Sequence, residues 1–297
     1  MSDYIIHTET DRLKATIVST RVRLRYPSYL SLMVTAKGSK LKLIGSSTKF
    51  DMKIDGLKST VAGLYLAPHT LAGMGINMCL MAGECVKSCL TYSGRLPLQH
   101  QYQVLKTRAF IAYPVEFLEQ LIMEIKLKAF EAHLEGYTLF IRLDGTSDNR
   151  WERYLDFDKM TEEIQGLGGF YDYTKFPLSA RRPSDSYHLT YSVDEQRGSE
   201  KRAREYDEAG YPFAVVATEE DYKMLIKQEG ITDGDESDFR WRDTGLVVLK
   251  AKNLFKSKEH EGRGKYKVPG KGLVRTAWQV LELKRRSGLT RRLSLAK

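Results

Sequence analysis

The chain has 297 residues, 42% of them apolar and 29% charged, and a formal net charge of +9. That composition argues against a disordered chain and allows one large α/β domain or two small ones. No apolar run approaches the roughly 18 residues that cross a bilayer, and Met1-Ser2-Asp3-Tyr4 opens no basic stretch followed by an apolar core, so the expectation is a cytoplasmic protein with no membrane partner.

In chain order, Lys14 to Lys53 reads as short strands, Ala15–Ser19 and Tyr29–Thr35, broken at Gly38 and Gly45. The run Gly63–Pro68 is strand-like. Helical spacing follows over Gln99–Arg108 and Val115–Glu135, where Phe117, Leu118, Leu121, Ile122, Ile125, Leu127 and Phe130 recur every three or four residues behind Pro114. Short apolar runs ending in polar residues come next: Tyr137–Asp144, Gly169–Tyr173, Tyr187–Ser192, Phe213–Thr218 and Gly245–Lys250. Between them, Asp158–Leu167 and Glu219–Glu229 are built from good helix formers. This alternation is the βα rhythm of a parallel sheet or barrel, which gathers functional groups at the carboxyl ends of the strands. The fold expected is therefore α/β, a partial or complete βα barrel with mostly parallel strands. A small N-terminal β element would occupy residues 1–58, the barrel-like domain 59–255, and a basic C-terminal extension 256–297. That extension carries the charge: from Lys250 to Lys297 fifteen Lys/Arg face three glutamates, a local +12 that leaves −3 for everything before it.

Cys79, Cys85 and Cys89 are the only cysteines, and they share one loop. An odd count in a reducing compartment favours metal over disulfides. Cys85 and Cys89 are four apart, on one face of a helical turn, and the bend at Ala82-Gly83 brings Cys79 towards them. Three thiolates are one short of a closed tetrahedral site. They suit a [4Fe-4S] cluster whose fourth iron is open to substrate or to a cofactor such as S-adenosylmethionine. Zinc with His69 or His100 as fourth ligand is the second reading, and three small core residues the plain one. The spacing Cys-x5-Cys-x3-Cys departs from the Cys-x3-Cys-x2-Cys triad of radical S-adenosylmethionine enzymes, which weighs against radical chemistry.

Other polar groups stand at strand ends. Arg142 and Asp144 share a side of their strand by period two, and with Asp148 they suit a ribose, an amino-acid group or a phosphate; Ser147 or Asp148 also reads as a helix cap. Tyr173 and Lys175 offer a stacking surface and an anion contact, or simply strand packing. Asp233, Asp235 and Asp238 supply hard oxygen ligands suited to Mg²⁺, or else a solvated turn paired with Arg240 and Arg242. Lys284, Arg285, Arg286, Arg291 and Arg292 have the charge of a phosphate contact or of a solvated tail.

Taken in order, Asn77-Met78-Cys79, Gly83-Glu84-Cys85-Val86-Lys87-Ser88-Cys89, Ser93-Gly94-Arg95, Arg142-Leu143-Asp144-Gly145-Thr146-Ser147-Asp148, Tyr171-Asp172-Tyr173-Thr174-Lys175 and Asp233-Gly234-Asp235 with Asp238 and Arg240 resemble the bacteriophage gene product 88 family over about residues 60–255. The resemblance implies a phage-encoded protein of the infected host's cytoplasm that binds an iron–sulfur cluster. Its layout also resembles the partial barrel of radical S-adenosylmethionine enzymes. The expectation is a cluster on Cys79, Cys85 and Cys89, faced by Arg142, Asp144, Asp148, Tyr173 and Lys175 as catalytic groups and by Asp233, Asp235, Asp238 and Arg240 as cofactor-binding groups. An enzyme acting on a nucleotide or nucleic acid would follow. The competing expectations are a DNA-binding or DNA-cleaving replication protein, with structural metal at the cysteines and Mg²⁺ at the acidic loop, and a non-catalytic protein that modifies host function.

Overall fold

The computed structural model describes residues 3–34, 38–46, 52–54, 57–92, 96–237, 239–241, 243–251, 274–275 and 277–286. They fall into two compact units, Met1–Leu80 with Arg95–Asp172 and Pro183–His188, and Met81–Gly94 with Tyr173–Arg182 and Leu189–Lys297.

In the first unit the amino-terminal segment is helical where strands are expected from its β-branched residues. Helices α1 (His7–Lys14), α2 (Ile17–Arg25) and α3 (Tyr29–Met33) precede β1 (Ile44–Ser46) and β2 (Met52–Ile54). The reason is capping. Thr16 accepts from the Ser19 amide, and Ser28 forms a reciprocal capping box with Ser31, so side-chain oxygens satisfy amides that a helix start leaves open. Then β3 (Leu57–Leu64), α4 (His100–Ala112), α5 (Pro114–Leu134), β4 (Tyr137–Arg142), α6 (Phe157–Glu163) and β5 (Leu167–Thr174) follow. Strands β1 and β2 pair antiparallel with β3, whereas β3, β4 and β5 are mutually parallel.

Helix α5 begins at Pro114, as the missing N–H allows, and buries Phe117, Leu118, Leu121, Ile122, Ile125 and Ala129. Leu127 and Phe130, expected in the core from their spacing, are 56% and 54% exposed. They belong with Met123 and Leu134 to a second, solvent-facing apolar stripe. Phe110 of α4 anchors the core, its ring centroid 5.3 Å from Phe117, 4.9 Å from Trp151 and 5.3 Å from Tyr154.

In the second unit the elements are β6 (Tyr187–Ser192, begun in the first unit), α7 (Ser199–Glu208), β7 (Phe213–Ala217), α8 (Glu219–Leu225), β8 (Ile231–Asp233), β9 (Leu246–Lys250), β10 (Val274–Arg275) and α9 (Ala277–Arg286). Strand β7 pairs parallel with β6 and β9, and β9 with β8. Strand β10 joins β7 at Val216 and Ala217, beyond the Phe213 and Ala214 positions that β6 occupies, so Arg275 emerges at the carboxyl end of β7. The expected α/β class with mostly parallel strands is thus present. Among the described residues no helix is long and apolar enough to cross a membrane.

Truncating Phe110 to alanine removes the centre of the aromatic group. The expected cost is about 3–5 kcal/mol in unfolding free energy by urea titration; a loss under about 1 kcal/mol would show that the cluster does not anchor the unit.

Candidate active site

The carboxyl ends of β3 and β4 are laced together in the first unit. Gly145 donates its amide to Leu64 O at 3.1 Å, Thr146 Oγ1 to Leu66 O at 2.6 Å, and the Asp148 amide to Met78 O at 3.0 Å. Gly145 has no room for a side chain, since a Cβ would lie 2.6 Å from the Tyr65 ring. Cys79 forms an isolated parallel bridge with Asp148, its amide donates to Asn77 Oδ1 at 2.9 Å, and its Sγ accepts the His69 amide at 3.3 Å. The His69 backbone, not its ring, meets the sulfur; the ring nitrogen Nδ1 lies 3.1 Å from Thr70 Oγ1.

Asp144 is buried and directs its carboxylate into its own loop. Oδ1 accepts from Ser147 Oγ at 2.6 Å and Asn149 Nδ2 at 3.0 Å, and Oδ2 from the Asn149 amide at 2.9 Å. Its amide donates to Asp172 Oδ1 at 2.6 Å, while Tyr187 OH donates to Asp172 Oδ2 at 3.0 Å. Asp172 is fully buried on β5, and sequence reasoning did not select it. Alternation offered the signal: in Phe170-Tyr171-Asp172-Tyr173 the acid shares a face with Phe170. Burial, then the negative charge of Asp144, pushes its carboxyl well above the ordinary range, against the Asp144 amide, the Arg142 charge and the Tyr187 hydroxyl.

The second unit holds the rest of the cysteine loop. A short 3-10 turn, Glu84–Val86, carries Cys85. The Glu84 amide donates to Glu195 Oε1 at 2.7 Å, and Gln196 Nε2 to Met81 O at 2.8 Å, so the loop after β6 holds it. Gly83 lets the Glu195 carboxylate approach, since a Cβ would overlap Glu195 Oε1 and make that side chain shift. All three cysteines are free thiols and half-buried. Burial pushes the Cys89 thiol up to about 11, with Cys85 adding to the rise and a backbone hydrogen bond at Thr91 opposing it. Among the described residues no three His, Cys, Asp or Glu side chains are grouped as ligands of a metal ion.

Lys175 Nζ donates to Ser192 O and Oγ, both at 3.3 Å, and lies 3.7 Å from Asp194 Oδ2. Tyr173 acts electrostatically on the buried Arg240, whose Nη1 donates to Asp243 at 2.6 Å and Nη2 to Gly234 O at 2.9 Å. Asp233 Oδ1 takes Tyr222 OH and the amides of Asp235 and Glu236, and Asp235 Oδ2 takes the Lys250 amide at 2.5 Å. The acidic loop is thus a braced turn between β8 and β9, with an internal ion pair at Arg240. Lys284 donates to Glu229 O, and Arg285 pairs with Glu282 at 2.8 Å. Asp238, Arg242, Arg291 and Arg292 lie outside the described residues, as does the side chain of Arg286.

The model of the gene product 88 family matches residues 35–266, most of the chain and all of the cysteine, Arg142–Asp148 and acidic-loop segments. The chain belongs to the gene product 88 family. The chain is also 26% identical over 277 residues to the transcription-repair-coupling factors of Staphylococcus aureus strains MRSA252 and NCTC 8325, covering 90% of this chain and 22% of each factor. It spans about a fifth of the length of those curated relatives. No solved structure gives a significant match.

The raised Asp172 carboxyl makes a signed prediction. The folded protein keeps a proton that the unfolded chain releases in the ordinary carboxylate range. Stability therefore falls as pH rises from that range towards the higher folded value. Asp172→Asn should flatten this slope in urea titrations across pH and leave the variant as stable as the parent, or more so, at neutral pH. A variant with the parent's slope would assign the pH dependence elsewhere.

Proposed function

We propose that this gene product 88 protein is an α/β enzyme whose working groups lie at the carboxyl ends of parallel strands, where it binds a small polar substrate, and whose three thiols take an iron–sulfur cluster. The observation that carries the reading is the concentration of partly exposed thiols and of buried charge on the loops that leave those strand ends. Cys79 adjoins the Asp144–Asp148 loop in the first unit. Cys85 and Cys89 lie on the loop held by Glu195 and Gln196 in the second. A partial βα barrel is the form of the fold this reading assumes, and a radical step with S-adenosylmethionine on a nucleotide or nucleic acid is its finest version. What the residues themselves support is positioning: Asp144 and Asp172 fix the β4 loop, and Lys175 supplies a cation beside Ser192 and Asp194.

Anaerobic purification with iron and sulfide analysis and a visible spectrum tests the cluster. Iron and sulfide with a charge-transfer band, lost when any one of the three cysteines becomes serine, is the expected outcome. A colourless protein with stoichiometric zinc would sink it.

The match to transcription-repair-coupling factors favours a second reading, a nucleic-acid partner held by phosphate contacts from the basic C-terminal segment. Lys284 and Arg285 are already engaged within the unit, so this reading assigns the contact to Arg291 and Arg292 beyond them. Binding by the full chain should weaken steeply with salt, and a chain ending at Arg286 should lose most of that salt dependence. Equal, salt-insensitive binding by both would remove the tail from the reading.

A further inference from the structure

The loop after β6 gathers charges that balance one another while leaving part of their hydrogen-bonding capacity unused; Asp194 Oδ1 accepts the Gln196 amide at 3.1 Å. Asp194 is buried, with a side chain 1% exposed. Lys175 Nζ lies 3.7 Å from its Oδ2, and Arg202 Nη2 lies 3.9 Å from its Oδ1. Arg275 donates from Nη2 to the Asp194 carbonyl at 2.7 Å and stands 3.6 Å from Glu200. Separations of 3.6–3.9 Å neutralise charge but are too long for hydrogen bonds. Accordingly Asp194 Oδ2, Glu195 Oε2 and Arg202 Nη2 are buried without a hydrogen-bond partner among the described residues. Native structures leave few such atoms, and a group of them of both signs at strand carboxyl ends fits a ligand that brings donors and acceptors together. The rest of the neighbourhood is well satisfied. Arg202 Nε donates to Tyr191 OH at 2.8 Å, Tyr191 OH and Ser199 Oγ lie 3.0 Å apart, and the Asp194 amide donates to Ser199 Oγ at 2.9 Å.

We propose that this cluster binds an α-amino-carboxylate, with the ligand ammonium donating to Asp194 Oδ2 and its carboxylate accepting from Arg202 Nη2. Charge selects the class. Lys175 and Arg202 face Asp194, Arg275 faces Glu200, and Glu195 is the next residue along the loop, so three cations and three carboxylates leave the site formally neutral. A zwitterion enters without disturbing that balance. A phosphate ester would carry two negative charges into a buried site with no surplus cation to meet them. The proposal rests on the strand-end reading of the site but not on the cluster, so protein containing no iron suffices for the test.

Calorimetry and thermal shift with the full-length chain against the proteinogenic L-α-amino acids supply that test. At least one should bind, and its decarboxylated amine, its deaminated acid and inorganic phosphate should each bind at least about tenfold more weakly. Asp194→Asn and Arg202→Gln should each weaken binding by about tenfold or more. Since removing a buried charge can compromise folding, the analogue series on the unaltered chain decides independently of the variants. Binding of no amino acid at millimolar concentration would overturn the proposal. So would a single-charge analogue or phosphate that binds as tightly as the best amino acid. Loss of the cluster hypothesis, read from iron and sulfide, leaves these measurements unaffected.

Discussion

The strand ends of the first unit depend on one buried carboxyl, Asp172. A fully buried ionised carboxylate is so costly that the group takes up a proton instead, unless donors converge on it. Here two do, the Asp144 amide and the Tyr187 hydroxyl, and burial still dominates. Because the Asp144 amide is committed to Asp172, the chain leaving β4 starts in a set direction. Its carboxylate then closes the loop on Ser147 and Asn149, Thr146 reaches Leu66, and the Asp148 amide reaches Met78. The backbone position of Cys79, next to Asp148, follows from this sequence of bonds. A core acid with no access to solvent is thus linked to the position of a thiol far along the chain through a succession of side-chain and backbone hydrogen bonds.

In the second unit the same task falls to Glu195. Its carboxylate accepts the Glu84 amide, which fixes the turn carrying Cys85, and the lack of a side chain at Gly83 permits the approach. Burial then acts on the Cys89 thiol. Metal ligands must be thiolates, and binding releases their protons. A Cys89 thiol pushed up to about 11 keeps its proton at neutral pH, so any soft metal that binds there must displace it.

Legibility in the sequence followed the range of the interaction involved. Strands β4, β6, β7 and β9 are visible as apolar runs because burial in a parallel sheet demands them, and α5 is visible through its period. The amino-terminal helices were not legible by the same rule. In Ile17–Arg25 the β-branched residues suggest strand, and the deciding interaction, Thr16 capping the Ser19 amide, is a single short-range bond. Leu127 and Phe130 mislead in the opposite sense. Their spacing is helical, but α5 carries two apolar faces and buries only the one bearing Phe117, Leu121 and Ile125. At the site, Arg142, Asp144 and Asp148 stood out because polar residues end an apolar run. Asp172 sits inside such a run, and Asp194, Glu195 and Arg202 lie in an ordinary charged stretch whose value depends on folding against Lys175 and Arg275.

The two acidic segments of the second unit show what separates a turn from a site. By composition, Asp233–Glu236 is the better candidate, with three carboxylates in four residues, whereas Asp194-Glu195 is unremarked. Hydrogen-bond accounting reverses the order. Asp233 Oδ1 is occupied by a hydroxyl and two amides, and Asp235 Oδ2 by the Lys250 amide, so these oxygens are already used in joining β8 to β9. Asp194 and Glu195 each keep a buried oxygen with no such partner, and Asp194 has two cations at ion-pair distance. Coulomb attraction falls slowly with separation while a hydrogen bond is lost beyond about 3.5 Å. A protein can therefore neutralise a cluster and still leave its donors and acceptors available. Density of charge alone identifies neither case; the unmet hydrogen bonds mark the cluster after β6 as the one built to receive something else.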